Sequence, residues 1–478
     1  MKNITKNYIA GEYSSPEDPV AVKKHFSPAN SNVLLETWKF GFKDIDKALT
    51  AALHAQKTWG SLSTDKRSET LNRVLEFIQT KEKEWTSLLC DHSGMCEADA
   101  ADEMNRALLA AKQQLNQTGM KALDERFNGQ WSYNPLGTAA LIGSYSESFV
   151  YGLQESFRYL ISGNTVVFKP SEKLFISGSL LSQAFHSAEL PLGAWNMIYG
   201  DREVGRRLAV HESIDSVSFF GGYESAIRIK QDILQQNWKR MSLWMCGKSV
   251  AIVDESSPVD LAVEAVLSGA FSNAGQCCDS TSRVFLHNKI KDSFIEKLHQ
   301  ESKQIRVGGM ETKNAQMGAL IDEGAMDRYI KFQGIASREG AEIIMRGKAL
   351  DMEAKGYFVS PSIAIVKDND FEKNRRSVYL QTEILGPNVA IQSYDDLDEA
   401  VVLANNNQFP IACSVFTASE MQFLKTAELL KYSRVIFNQS TRTPAFQYPQ
   451  TAIKKSGNQS LGGALGFLET GNIRALIK

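Results

Sequence analysis

The sequence predicts an α/β protein built on a doubly wound parallel sheet, and three observations lead to that class. Strand-like and helix-like segments alternate strictly between residues 138 and 245. A second alternating section follows, from residue 249 to about residue 437. The chain has 478 residues, too many for one ordinary core, so two or three domains are expected. Right-handed crossovers between such strands produce a parallel sheet that is covered by helices on both faces.

The composition is that of a globular protein. Hydrophobic residues make up 43% of the chain, and 53 basic residues balance 55 acidic ones without a long Lys/Arg block. No stretch approaches the roughly 18 unbroken apolar residues of a spanning helix, and the N-terminus lacks the apolar core of a signal peptide. The six cysteines are too scattered for a disulfide framework and suit no zinc site. We therefore expect a cytoplasmic protein with reduced thiols and with no metal, nucleic-acid or membrane partner.

The front section is predicted to be helical. Apolar residues recur at three- and four-residue spacing over 44–59 and 65–90, with charged residues between them. A further long helix is expected over 100–115. Residues 126–134 are polar, aromatic and turn-rich, so we expect a domain boundary there.

The first alternating section brings three loops to one edge of its sheet. Its predicted strands are TAALIG, TVVFKP, WNMIYG, SVSFF and RMSLWM, with helices between them. Ligands of doubly wound sheets bind beyond the carboxyl ends of the strands. Residues 144–148, 169–172 and 221–224 are therefore expected around one crevice.

The second alternating section carries a cysteine on a turn. Ser257 and Pro258 are expected to cap and begin a helix that runs to about Ser272, and Gly275 ends it. Cys278 then lies on the turn before the strand STSRVFL, where a side chain can be exposed at a domain edge. A free cysteine is more often a small buried hydrophobe than a nucleophile. The residues around Cys278 therefore decide how it is interpreted.

Four separated segments resemble the aldehyde dehydrogenase superfamily in order and spacing, from NPLG at Asn134 to KKSG at Lys454. FSNAGQCCDSTSR is similar to the family's nucleophile signature, Phe-x-Asn-x-Gly-Gln-x-Cys-x-Ala-x-x-Arg, and differs by Ser280 in place of Ala. QTEILGP and VVFKPSEK resemble two further family motifs. The resemblance implies that the Cys278 thiolate attacks an aldehyde, that a hydride passes to nicotinamide, and that water or another acceptor releases the thioester.

The resemblance also implies a domain organisation. A doubly wound nucleotide-binding domain would comprise residues 1–112 and 136–246. An α/β catalytic domain that carries Cys278 would comprise residues 247–446. A small β oligomerisation extension, residues 113–135 and 447–478, would join subunits into dimers or tetramers.

The cofactor that the resemblance implies is a nicotinamide dinucleotide. Lys169 and Glu172 resemble the pair that holds the adenosine ribose, and the Glu172 carboxylate favours NAD over NADP because it repels a 2'-phosphate. Gly221 and Gly222 match the glycine turn that receives pyrophosphate at a helix start. Glu383 resembles the residue that holds the nicotinamide ribose. The remaining cofactor positions are Tyr145 and Leu385, the latter in place of the usual Phe.

Two departures from the family fall on catalytic positions. Ser146, in SYSES, replaces the Asn that binds the oxyanion, and loss of such a donor typically costs about 10² to 10³ in turnover. Trp244, in LWMCGK, replaces the glutamate that acts as general base, and an indole accepts no proton. Glu147 or Asp279 could stand in as the base, although an ordinary loop carboxylate is the simpler interpretation of each.

Three interpretations of function remain open at this point. The first is NAD-dependent oxidation of an aldehyde through a Cys278 thioester at an unusual site. The second is transfer of the acyl group to coenzyme A, which explains Trp244 but not Ser146. The third is a non-catalytic binding protein that keeps the fold, which explains both departures. The enzymatic interpretations are favoured over the third because four family residues are retained, namely Cys278, Lys169, Glu172 and Glu383.

Overall fold

Two seven-stranded sheets form the frame of the protein. The computed structural model describes residues 5–18, 21–39, 42–116, 125–126, 129–236, 238–462 and 466–477. In the first sheet, five neighbouring strands are parallel, and two short N-terminal strands extend it antiparallel. From edge to edge its strands are Arg240–Trp244, Ser216–Phe220, Thr138–Ile142, Thr165–Lys169, Trp195–Met197, Asn7–Ile9 and Glu12–Ser14.

The second sheet is parallel except at one edge strand. Its strands, in order, are Glu342–Met345, Ser362–Ile365, Asn388–Tyr394, Thr281–His287, Ser249–Val253, Ala412–Phe416 and Arg434–Phe437. Three two-stranded ribbons accompany the sheets in the described residues. They are Ala21–Phe26 with Val33–Lys39, Trp131–Pro135 with Gly471–Ala475, and Gln450–Thr451 with Ser460–Leu461.

Helices connect the parallel strands and cover the sheets. Those of the first part of the chain are Lys43–Ser61, Thr64–Ser93, Glu97–Gln114, Ser148–Ile161, Phe175–Ser187, Arg202–Val210 and Tyr223–Gln236. Those of the second part are Val259–Phe271, Lys291–Gln304, Glu323–Arg338, Phe371–Arg376, Val378–Gln381, Leu397–Asn405 and Glu420–Leu429. Short 3₁₀ turns occur at Ser272–Gly275, Lys454–Ser456 and Gly466–Glu469.

This architecture confirms the predicted α/β class with a doubly wound parallel sheet. A large apolar core packs on the first sheet, and separate cores pack on the second. The helices Lys43–Ser61, Thr64–Ser93 and Glu97–Gln114 confirm the predicted helical front section, and four strands that were not predicted precede it. The first two of those strands have only three residues each, too few for a clear alternating pattern.

The predicted helix start at Ser257 was wrong. The helix is Val259–Phe271 with Pro258 at the N-cap position, and no side chain caps it. Pro258 instead supplies the transition from extended backbone, which its ring favours. Among the described residues, no helix has both the length and the apolar composition needed to span a bilayer.

The domain boundaries given above stay a prediction. Of the predicted β extension, residues 117–124, 127–128, 463–465 and 478 lie outside the described residues. The described part contains the ribbon formed by Trp131–Pro135 and Gly471–Ala475, which pairs the two halves of that extension.

Candidate active site

A sharply turned segment leads into Cys278. Asn273 and Ala274 both have φ near 50°, and Gly275 has φ 67°, so three successive residues are left-handed. Gly275 is required here because a Cβ would lie 2.4 Å from the carbonyl oxygen of Gly386. On the other side, a Cβ at Gly247 would lie 1.6 Å from the carbonyl oxygen of Cys278. Backbone contact between these segments therefore sets the position of the cysteine.

The Cys278 sulfur lies between an indole and a carboxylate. The Trp244 Nε1–H donates to Cys278 Sγ at 3.5 Å, and Glu147 Oε2 lies 3.9 Å from the same sulfur. The expectation that Cys278 is exposed at a domain edge was wrong, since the residue is only 8% exposed. It belongs to a buried apolar cluster whose other members are Tyr151, Phe220, Trp244, Ile411, Ala412, Ala452 and Leu461.

Cys278 is a thiol in this environment. Burial raises its pKa well above the ordinary value, and the negative charges of Glu147 and Asp279 raise it further. The hydrogen bond from Trp244 acts in the opposite direction because it favours the thiolate. Formation of the nucleophile therefore requires a base that removes the thiol proton in place.

Glu147 is the carboxylate nearest to that proton. Its Oε1 accepts a hydrogen bond from Arg106 Nη2 at 3.0 Å, which leaves Oε2 facing the sulfur. Burial raises the pKa of Glu147, as does the neighbouring Asp279, although Arg106 opposes both effects. The residue is held at φ 46°, a left-handed conformation that a glutamate adopts only when its surroundings impose it.

Buried arginines surround the two carboxylates near the thiol. We call this group the Arg–carboxylate cluster; its members are Arg106, Arg434, Arg442, Glu147 and Asp279. Asp279 Oδ2 accepts from Arg434 Nη2 at 2.5 Å and from Arg106 Nη2 at 3.3 Å. Burial would raise the pKa of Asp279, but the three arginines outweigh it and hold that pKa at about 2. Asp279 is therefore ionised throughout the physiological pH range, and its low pKa makes it a poor base.

Ser146 does not present its hydroxyl to the sulfur. Its Oγ donates to the backbone carbonyl of Gln276 at 2.7 Å and is buried. A hydroxyl has one proton, so this bond occupies the only donor that Ser146 could offer to an oxyanion. Ser146 as an oxyanion donor stays a prediction, and it would require this bond to break.

Of the two predicted adenosine-binding residues, Lys169 is buried and Glu172 lines a large cleft. Lys169 ends its strand, and its buried Nζ donates to the carbonyls of Pro170 and Gly200, at 2.8 and 3.0 Å. Burial lowers the pKa of Lys169 to about 8. Glu172 lines a cleft of about 660 Å³ together with Asp201, Arg202, Glu203, Arg206, Ser225, Arg228, Ile229, Gln231 and Asp232. This cleft is large enough for an adenosine moiety.

The predicted glycine turn is open to solvent. Gly221 and Gly222 join the strand Ser216–Phe220 to the helix Tyr223–Gln236, and a Cβ at Gly222 would meet no atom within 4 Å. An anion can therefore reach the amides at the start of this helix. Parallel pairing with the strand that ends at Trp244 brings this turn to the Cys278 side of the sheet.

The predicted nicotinamide-side residues are engaged within the protein. Glu383 Oε1 accepts from the Gly247 amide at 2.8 Å, and the Cys246 thiol donates a further hydrogen bond to the Glu383 carboxylate. Leu385 has φ 54° and lines, with Glu383, a cavity of only about 20 Å³. The Tyr145 ring lies 5.3 Å from Lys173 Nζ.

Sequence reasoning missed several residues around the sulfur. Arg106 and Arg442 are separated from Glu147 by long stretches of chain, and Tyr151 and Phe220 read as ordinary core positions. One signal was available, because two carboxylates next to predicted site residues need cations if they are buried. Nothing in the sequence indicated which arginines would supply them.

Two parallel α/β sheets that meet at a buried cysteine, with a nucleotide-sized cleft at the strand ends, define the class of this protein. The chain belongs to the aldehyde dehydrogenase family, whose model matches residues 16–476. This membership confirms the expectation of an oxidoreductase, and the family uses NAD(P).

Relatives and solved structures agree with this assignment. The chain is 27% identical to 1-pyrroline-5-carboxylate dehydrogenase 1 of Halalkalibacterium halodurans, over 98% of this chain and 92% of the relative. Lactaldehyde dehydrogenase from Escherichia coli superposes with a TM-score of 0.91 at 24% identity, over 99% of both chains. A mutant betaine aldehyde dehydrogenase from Staphylococcus aureus in complex with NAD+ gives 0.89 at 22% identity, over 99% and 98%. The solved structures show the shared fold.

Proposed function

We propose that the chain oxidises an aldehyde in an NAD-dependent reaction that passes through a thioester on Cys278. The observation that carries this proposal is the setting of the sulfur. Trp244 Nε1 lies 3.5 Å from it on one side, and Glu147 Oε2 lies 3.9 Å from it on the other. A buried thiol needs a base to become a nucleophile, and a hydrogen-bond donor stabilises the resulting thiolate.

In this mechanism Glu147 acts as the general base, because the Trp244 indole cannot accept a proton. Glu147 Oε2 takes the thiol proton as the Cys278 sulfur attacks the carbonyl carbon of the aldehyde. The dinucleotide supplies the acceptor for the hydride that must leave the tetrahedral adduct to give the thioester. After Glu147 has released its proton to solvent, the same carboxylate removes a proton from the water that cleaves the thioester. Because Ser146 Oγ is committed to Gln276, we assign the oxyanion to the backbone amide of Cys278.

NAD fits the adenosine end of this chain. Glu172 supplies a carboxylate in the cleft of about 660 Å³, and Gly222 leaves amides open for a pyrophosphate. A carboxylate at the ribose favours NAD over NADP, which would bring a second negative charge next to it. At the nicotinamide end, Glu383 would exchange its present partners, Gly247 and Cys246, for the ribose.

The direct test is a spectroscopic assay of the purified protein. NAD or NADP is mixed with a panel of aldehydes, with and without coenzyme A, and the absorbance of the reduced nicotinamide is followed. We expect a rise with NAD that exceeds the rise with NADP and does not require coenzyme A. If every condition leaves the absorbance unchanged while NAD binds measurably, both enzymatic functions are excluded.

Two other candidates are each favoured by one observation. Acyl transfer to coenzyme A is favoured by Trp244, which cannot activate water. A rise in absorbance only when coenzyme A is present would select it. Binding without turnover is favoured by the enclosed sulfur of Cys278 and its raised pKa.

Replacing Trp244 by Phe is expected to slow alkylation of Cys278 by iodoacetamide about 10-fold, because a smaller aromatic ring remains but the N–H donor to the thiolate is lost. The measurement is peptide-resolved mass spectrometry of the labelled protein over time. Phe220→Leu is the matched control, since it alters the same apolar enclosure without removing a donor to the sulfur. Equal rates in wild type and Trp244→Phe would show that the indole does not stabilise the thiolate.

We further propose that the chain self-associates through its C-terminal ribbon and acts in the cytoplasm. The strand Gly471–Ala475 is largely exposed, with Ile473 50% exposed, although its partner strand Trp131–Pro135 is half-buried. An exposed strand of this kind is a ready template for pairing with another chain. The cysteines of the described residues are all free, as in a reducing compartment.

A further inference from the structure

A second large cleft is lined by none of the predicted nucleotide-binding residues, although its Lys455 Nζ lies 5.4 Å from the ring of Tyr223, which follows the glycine turn. Its volume is about 810 Å³, and it lies between the helix Phe371–Arg376, the residues that end the helix Leu397–Asn405, and the turn Lys454–Ser456. We call it the cationic cleft; it is lined by Phe371, Glu372, Arg375, Arg376, Asn405, Asn406, Asn407, Gln408, Lys454 and Lys455. Among these described lining residues, none belongs to the proposed active site.

The charges that line this cleft are unbalanced. Four cations face a single carboxylate, Glu372, which leaves an excess of three positive charges among the lining residues. Glu372 lies 3.6 Å from Arg375 and 3.9 Å from Arg376, so neither guanidinium makes a short ion pair with it. The side chains of Arg375 and Arg376 are 65% and 83% exposed, which leaves their donors open to a ligand.

The opposite wall carries two lysines that have only neutral partners among their hydrogen bonds. Lys454 Nζ donates to the carbonyls of Asn405 and Asn407, each at 2.8 Å, and Lys455 Nζ donates to the Gln408 side chain. Lys454 adopts φ 51°, an unfavourable conformation for a residue with a side chain. The hydrogen bonds to these two carbonyls hold the Lys454 ammonium group at the cleft, although the backbone of Lys454 is strained.

The guanidinium of the buried Arg283 lies directly behind the lining residues. Arg283 Nη1 donates to the carbonyl of Asn406 at 3.2 Å, and its other hydrogen-bond partner is the neutral Gln392. The Lys248 carbonyl accepts from Asn407, while Lys248 Nζ donates to the carbonyl of Tyr379. Burial, followed by the charge of Arg283, lowers the pKa of Lys248 to about 7. Lys248 with this pKa is about half neutral at pH 7, so the buried charge that strengthens the attraction of an anion is that of Arg283.

We propose that the cationic cleft binds a small polyanion, a molecule that carries two or more phosphate or carboxylate groups. The four cations line two opposite walls of the cleft, and a single anionic group would contact only one of these walls. Guanidinium groups bind either kind of oxyanion with paired hydrogen bonds. A volume of about 810 Å³ accommodates a small-molecule ligand.

The test is calorimetric titration of the full chain at constant ionic strength, with inorganic pyrophosphate in one series and citrate in the other. We expect saturable binding of at least one probe, and the stronger probe identifies the preferred anionic group. The double variant Arg375→Gln with Arg376→Gln is expected to weaken that binding about 10-fold or more. Lys303→Gln with Lys331→Gln, which removes two exposed cations elsewhere, is the matched control and should bind as the wild type does.

A further variant separates the cationic cleft from the glycine turn, where pyrophosphate could also bind. Gly222→Asp introduces a carboxylate at a position where a Cβ meets no other atom within 4 Å. Binding that is lost in Gly222→Asp but kept in the double cleft variant would overturn the proposal, as would the absence of saturable binding by both probes. Circular dichroism checks that each variant folds, and Arg376→Gln replaces the double variant if the latter is unfolded.

Discussion

Cys278→Ala is expected to abolish formation of the acyl-enzyme and to lower turnover by roughly 10³-fold or more, because the nucleophile of the proposed reaction is removed. The side chain is buried against apolar neighbours, so loss of one sulfur leaves a small cavity and the fold is expected to persist. The measurement is intact-protein mass spectrometry after brief mixing with NAD and an aldehyde that supports activity. Wild type should show the mass of an acyl adduct, and the variant should not.

Cys277→Ala is the matched control for this experiment. Cys277 is also buried, and its sulfur accepts a hydrogen bond from Asn273 Nδ2 at 3.4 Å. It has the same chemistry and depth as its neighbour but lacks the contact with Trp244. We expect the adduct to form normally in Cys277→Ala. An adduct that survives in Cys278→Ala but disappears in Cys277→Ala would assign the reaction to the other thiol.

Glu147→Gln is expected to slow thioester formation by about 10² to 10⁴, the usual contribution of a general base. Glutamine retains an oxygen that can accept from Arg106, so the variant removes the base with little change of shape. The measurement is the single-turnover rate of the enzyme as a function of pH. In wild type the rate should fall as the pH falls through the raised pKa of Glu147, because only the carboxylate can take the proton. In Glu147→Gln this acid limb should be absent.

Glu103→Gln controls for loss of a buried carboxylate. Glu103 Oε1 accepts from the Phe149 amide at 2.9 Å, and burial raises the pKa of this residue to about 7. It therefore titrates near neutrality without contacting the sulfur, and its replacement should leave the acid limb in place. If the limb disappears in Glu103→Gln and remains in Glu147→Gln, the base has been assigned to the wrong glutamate.

The fold was predictable because it depends on repeated local patterns. Strict alternation of strands and helices predicted the parallel sheet, and the carboxyl-end rule brought residues 144–148, 169–172 and 221–224 to one edge. The short N-terminal strands escaped because three residues carry too little pattern. The start of the helix was predicted one residue too early because Ser257 is of a residue type that often caps helices, whereas Pro258 occupies the N-cap position.

The environment of the sulfur could not be read from the chain. The sequence drew attention to Trp244 because it replaces the general base of the family. Nothing in the sequence indicated that its N–H would face the thiol. Glu147 was considered an ordinary loop carboxylate, yet its left-handed backbone and its bond to Arg106 turn one oxygen toward Cys278. Both features depend on contacts between segments that are distant in the sequence, and such contacts leave no local pattern.

The Arg–carboxylate cluster joins the two halves of the molecule through ion pairs. Arg106 and Glu147 belong to the half built on the first sheet, whereas Asp279, Arg434 and Arg442 belong to the other. Separation of the halves at this cluster would leave buried charges without partners, and this costs far more free energy than breaking an exposed ion pair. A motion that opens the crevice to a nucleotide is therefore expected to keep the two halves joined at this cluster and to widen the crevice away from it.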